Sequence, residues 1–239
     1  MTQMLASVTS VSEALLALEL GADIIDLKNP HDGALGALPF AIQKEIVEAL
    51  SNRRVISATI GDTPEDMHHL HRKVMATAAT GVDIVKIGIA TSRIALASWR
   101  DIAWPPNSAR LVAVLFADQG LDLNWIALLA EQGFFGVMLD TAEKSAGSLR
   151  AYCNNAQLRE FVRSARANRL LCGLAGSLRL DDIAQLLDLA PDYLGFRGAL
   201  CRNESRIEML DRDAFRDVRA RIPALTENQT LSWAATSAT

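Results

Sequence analysis

The chain has 239 residues, half of them hydrophobic but only 5% aromatic, and a formal net charge of −4. That length and an aliphatic composition suit one large core of helices packed on a buried parallel sheet, with no second domain. The mild acidity, without any basic run, removes the electrostatic basis for nucleic-acid binding.

In chain order, short aliphatic runs alternate with longer amphipathic ones. Met4–Val8 reads as a strand, and Ser10-Val-Ser-Glu13 opens a helix with capping chemistry that runs to about Leu20. Gly21 ends it, and Asp23–Lys28 is the second strand. A loop dense in turn residues, Asn29 to Gly36, leads to a helix over Phe40–Leu50. Val55–Thr59 is the third strand. Thr63-Pro64-Glu65 starts a helix ending near Thr80, with Pro64 in its first turn. Val82–Gly88 is the fourth strand, Ser92–Ile102 a helix, and Pro105-Pro106 breaks the chain.

The rhythm then repeats. Arg110–Phe116 is a strand, Asp122–Gln132 a helix and Phe135–Asp140 a strand; Gln157–Asn168 is a helix and Leu170–Ala175 a strand. Leu180–Leu189 is a helix, Asp192–Phe196 the eighth strand and Arg212–Ile222 the last helix, with a frayed polar tail from Ala224. Eight alternations predict an α/β fold, a single (β/α)8 TIM barrel over residues 1–223 with a flexible tail over 224–239. Periodicity does not show closure, so an open doubly wound sheet stays as the alternative.

No apolar stretch approaches a membrane span, and the start lacks the basic segment of a signal peptide. Cys153, Cys172 and Cys201 lie far apart without metal-binding spacing and read as reduced thiols, which with the preceding points predicts a cytoplasmic protein. His68, His69 and His71 lie within a helix that faces outward, with no carboxylate pattern to complete a metal site; His31 alone is weak evidence. The expected chemistry is therefore free of metal and cofactor. Aliphatic helix faces leave room for a homo-oligomer, which the sequence does not decide.

Charge at the ends of the strands is the unusual feature. In Asp23-Ile-Ile-Asp-Leu-Lys28, side chains two apart share a face, so Asp26 and Lys28 point the same way; Lys86 shares a face with Ile84 and Gly88. Asp140 closes the sixth strand and Lys144 follows in Asp-Thr-Ala-Glu-Lys. A strand-end lysine can snorkel to a rim and an aspartate can cap the next segment. Three charged ends at the face where barrels keep their active sites point instead to amine catalysis. Cations crowded together or buried release a proton more readily, which gives the free amine that attacks a carbonyl.

Gly173-Leu-Ala-Gly176-Ser177 follows the seventh strand and Gly195-Phe-Arg197-Gly198 the eighth. In barrels these two loops form the usual phosphate cradle, with Arg197 placed to add a fork of donors. Tight strand-to-helix turns are the plain alternative for the glycines.

On Asp26-Leu-Lys-Asn-Pro30, Gly33-Ala-Leu-Gly-Ala37, Val85-Lys-Ile-Gly88, Asp140-Thr-Ala-Glu-Lys144 and the two glycine loops, the chain resembles the (5-formylfuran-3-yl)methyl phosphate synthases of methanofuran biosynthesis. The resemblance extends to about residue 222. It implies a barrel enzyme with a Schiff base on Lys28 and Asp26, Lys86, Asp140 and Lys144 around it. It further implies that two glyceraldehyde 3-phosphate molecules condense with loss of phosphate and water. A different Schiff-base aldolase or transaldolase acting on a sugar phosphate is the rival enzyme, and a non-catalytic barrel that binds a phosphorylated metabolite is the rival of another class.

Overall fold

The computed structural model describes residues 1–64, 66–89, 109–143 and 147–223. Its eight strands are β1 (Gln3–Val8), β2 (Ile24–Leu27), β3 (Val55–Thr59), β4 (Ile84–Gly88), β5 (Arg110–Phe116), β6 (Gly136–Asp140), β7 (Leu171–Leu174) and β8 (Tyr193–Phe196). All neighbours pair in parallel and β8 returns to β1, so the sheet closes into a barrel and the open-sheet alternative falls away. The described helices are α1 (Val11–Glu19), α2 (Phe40–Leu50), α3 (Met67–Ala78), α4 (Asn124–Glu131), α5 (Leu149–Tyr152), α6 (Asn155–Ala167), α7 (Ile183–Leu187) and α8 (Arg212–Arg221). The helix expected over Ser92–Ile102 and the tail from Ala224 lie outside the described residues.

Period-two alternation sorts each strand between two cores. Ile25, Leu27, Val85, Ile87, Val137 and Leu139 face outward into the layer beneath the helices. Ile24, Ile84, Val112, Val114, Met138 and Tyr193 face inward and fill the barrel's lower interior. Position 173 must be glycine for this packing, because a Cβ there would overlap the Tyr193 ring. Above this apolar plug the inward positions turn polar, and that change of lining positions the site.

Local chemistry accounts for most helix boundaries. The Ser10 hydroxyl accepts from the Glu13 amide to cap α1, as expected, and Asn154 with Gln157 forms a full capping box for α6. Two expectations shift. Thr63 does not start α3, because its hydroxyl donates to the Gly88 carbonyl at 2.7 Å and ties the chain to β4. Asp66 is the cap instead, accepting from the His68 and His69 amides. The helix expected over Leu180–Leu189 divides into a 3₁₀ turn, Leu180–Asp182, and the short α7. The three cysteines are free and buried, and among the described residues no helix is long and apolar enough to cross a membrane.

Candidate active site at the carboxyl end of the barrel

Asp26, Lys86 and Asp140 point into the barrel as their strand phase requires, and all three are nearly inaccessible to solvent. Buried charges need partners. Lys86 Nζ lies 2.6 Å from Asp26 Oδ1, and Lys28 Nζ lies 3.5 Å from Asp140 Oδ2. The two ion pairs stand together at the base of a cavity of about 210 Å³ at the carboxyl ends of the strands. Lys28 keeps 11% of its side chain accessible, against 3% for Lys86. Lys144 lies outside the described residues.

Two serines complete the Asp26 environment. Ser7 on β1 donates to Oδ2 at 2.9 Å and Ser57 on β3 donates to Oδ1 at 2.7 Å. Ser7, Asp26 and Ser57 are register partners across the three strands, so the clamp follows from parallel pairing. Burial pushes the Lys86 ammonium below its ordinary value; Asp26 opposes that shift and the nearby Lys28 charge adds to it. Tyr193 lies beneath, and its phenol is pushed well above the ordinary value by burial and by surrounding acidic groups that include Asp26 and Asp140. Neither serine stood out in the sequence, where each reads as an ordinary small residue within a strand.

The loops fix the mouth. The Asn29 amide donates to the Gly36 carbonyl at 2.8 Å, which closes the loop after β2 into a ring. A Cβ at Gly36 would collide with the Asn29 carbonyl, so this glycine serves ring closure. On the opposite side, Asp118 accepts from the Ala142 and Glu143 amides at 2.8 and 2.7 Å and anchors the start of the loop after β6. Gly173 and Gly176 separate in role: Gly173 makes room for Tyr193, whereas Gly176 has φ +105° and is followed by Ser177 at φ +48°. The second pair forms a left-handed turn at the cavity wall, with Gly198 of the next loop also lining the cavity. Successive amides in such turns converge on anions.

Arg197 is engaged differently from the expected fork. Its Nε donates to the Arg206 carbonyl, Nη1 to Ser7 O and Glu13 Oε2, and Nη2 to Glu13 Oε1 and Glu208 O. All five donors of the guanidinium are thus used, and the expected donation to a phosphate is lost to this latch. Burial raises the Glu13 carboxyl, but Arg197 and Thr9 outweigh it and hold the group below its ordinary value. Glu13→Ala is expected to cost about 3–5 kcal/mol, as for a buried pair deprived of one partner. The fall in Tm is roughly 6–20 °C, read by thermal unfolding at neutral pH. In the unsubstituted protein the stability that follows from the lowered Glu13 value is present above 4.5 and is lost in acid, as pH falls through the lowered folded value.

Comparison with known proteins places this geometry. Residues 4–219 match the sequence profile of the family described as 4-HFC-P synthase. A protein of Methylorubrum extorquens is 42% identical over 209 residues, spanning 87% of this chain and 86% of its own. The (5-formylfuran-3-yl)methyl phosphate synthase of Methanopyrus kandleri is 36% identical over 217 residues, spanning 85% of this chain and 91% of its own. Among solved structures, a phosphoribosyl anthranilate isomerase from Thermus thermophilus superposes with a TM-score of 0.65 at 17% identity, over 92% of this chain and 98% of that one; it shares the barrel fold. With the match running through all eight strands and both ion pairs, the chain belongs to the 4-HFC-P synthase family, the (5-formylfuran-3-yl)methyl phosphate synthases.

Proposed function

We propose that this enzyme condenses two molecules of glyceraldehyde 3-phosphate into (5-formylfuran-3-yl)methyl phosphate through a Schiff base on Lys28. It acts as a carbon–oxygen lyase of methanofuran biosynthesis in the cytoplasm and requires no metal or cofactor. The observation that carries the reading is the pairing of Lys28 with Asp140 at the accessible base of the cavity, above the buried Lys86–Asp26 pair. The balance closes: two three-carbon phosphates give a six-carbon product that keeps one phosphate, releasing one phosphate and two waters.

Lys28 Nζ attacks the carbonyl of one substrate, and the adjacent Asp140 carries protons as the carbinolamine loses water to the iminium. The iminium acidifies the neighbouring carbon. Elimination of phosphate, aldol-type joining to the second molecule, ring closure and dehydration follow, and hydrolysis of the imine frees Lys28. Asp26, held by Ser7, Ser57 and Lys86, takes and returns protons from below. Lys86 and Lys144 supply protons or anion binding. The turn at Gly176–Ser177 and Gly198 receives a substrate phosphate through backbone amides.

The test is incubation of purified protein with glyceraldehyde 3-phosphate alone, following inorganic phosphate and near-ultraviolet absorbance together. One phosphate should appear per conjugated furan aldehyde. Phosphate without a furan chromophore would sink the proposed product, and a silent mixture would sink the substrate.

A further inference from the structure

Two substrate molecules bring two phosphates to one mouth, and a single glycine turn holds one of them. Besides the lysines already placed, the cavity is lined by Arg179, Arg197 and Arg206. Arg197 is saturated by Glu13, Ser7, Arg206 and Glu208. Arg179 is exposed at the outer rim. Arg206 combines a fixed backbone with a guanidinium that has donors to spare.

The segment after β8 makes a 3₁₀ turn at Gly198–Leu200, a second at Arg202–Glu204, and returns through an antiparallel bridge between Cys201 and Leu210. Arg197 clamps this excursion from within, since its Nε reaches the Arg206 carbonyl at 2.9 Å and its Nη2 the Glu208 carbonyl at 2.8 Å. The Arg206 side chain then leaves its own loop and crosses the mouth, where Nη2 donates to the Gly33 carbonyl at 2.8 Å. That is its one hydrogen bond among the described residues, so four of its five N–H groups remain for a ligand. Its half-buried position lowers the guanidinium from its ordinary value, while the charges of Asp140 and Glu143 act the other way. Asp140 is the partner of Lys28, which places Arg206 over the same end of the cavity.

We propose that Arg206 forms a second phosphate subsite at this mouth, separate from the glycine turn after β7, and that it bridges the loops after β2 and β8 when that phosphate is bound. The assignment rests on the two-phosphate substrate proposed above. A planar guanidinium suits this task because it offers paired donors to two phosphate oxygens and keeps its charge at any working pH. Binding there also offsets phosphate charge at the end of the cavity where Asp140 and Lys28 pair.

The experiment is titration of the full-length protein with inorganic phosphate, followed by calorimetry and phosphorus NMR, on the unsubstituted chain and on Arg206→Gln and Arg206→Lys. The expected result is two phosphates per chain for the first and one for Arg206→Gln. In Arg206→Lys the second phosphate should remain but bind roughly tenfold more weakly or worse. Thermal unfolding accompanies each titration; where the glutamine variant does not fold, the lysine variant decides. Unchanged binding at both sites in the folded variants, or one phosphate in the unsubstituted chain, would overturn the subsite. Binding needs no turnover, so the two readings fail separately. A loss of one phosphate in a protein inert toward glyceraldehyde 3-phosphate would keep the subsite and reject the reaction. A normal reaction with unchanged phosphate binding would do the reverse.

Discussion

Lys28→Arg is expected to abolish turnover, by roughly 10³–10⁶-fold, the range seen when an essential nucleophile is removed. Arginine keeps a cation beside Asp140, so the Lys28–Asp140 attraction persists in kind while imine formation does not, because the guanidinium stays protonated. A purely electrostatic role for Lys28 would leave much of the activity in place. Borohydride added with glyceraldehyde 3-phosphate should attach substrate carbon to the unsubstituted protein at one lysine, and peptide mass mapping should place it on Lys28. The arginine variant should trap none. Lys86 is the informative rival, since burial lowers its ammonium and favours the free amine. Its side chain is almost enclosed, whereas Lys28 is the more accessible of the two in the cavity. A carbonyl must reach the amine before it can react, so access decides between them. An adduct on Lys86 with Lys28 unmodified would reverse the assignment.

What the sequence made legible follows from the range of each interaction. The face shared by Asp26 and Lys28 is a property of neighbouring residues, and it survives unchanged in the barrel. Strands β3 and β5 and helix α2 begin and end where the aliphatic pattern says, because both flanks carry turn or polar residues. The start of α3 departs from the local pattern because Pro64 is a good first-turn residue by itself, and nothing local shows that Thr63 is drawn to Gly88. Helix α5 has four residues, too few for any period to register. Arg197 looked like a phosphate ligand because its partner, Glu13, stands at the far end of the chain. Arg206 carries no local signal for the same reason, since Gly33 lies on the loop after β2. Ser7 and Ser57 became visible only once strand register placed them beside Asp26.

Asp26→Asn is expected to separate stability from chemistry in this site. The substitution keeps the shape and leaves an oxygen for Ser7 or Ser57, but it takes away the anion 2.6 Å from a fully buried Lys86. Breaking a buried pair from one side costs about 3–5 kcal/mol near neutral pH, because the remaining charge has neither water nor partner. Lys86→Met is milder, since Asp26 retains two hydroxyl donors. The double variant should therefore recover part of the stability lost in Asp26→Asn, with a coupling of about 0.5–3 kcal/mol in a denaturant cycle. Activity should not recover: both variants lacking Asp26 should lose about 10²–10⁴-fold, the contribution of a positioned proton carrier. The pH dependence adds a sign. Lys86 binds its proton less tightly folded than unfolded, where the ordinary value is 10.5. Between the lowered folded value and 10.5 the unfolded chain holds the extra proton, so stability rises with pH across that window. Asp26 opposes the shift, so Asp26→Asn should widen the window toward lower pH, and Lys86→Met should abolish this part of the profile. A flat profile in Asp26→Asn, with no recovery in the double variant, would mean that Lys86 finds another partner and that the Asp26–Lys86 pair does not hold the floor of the site.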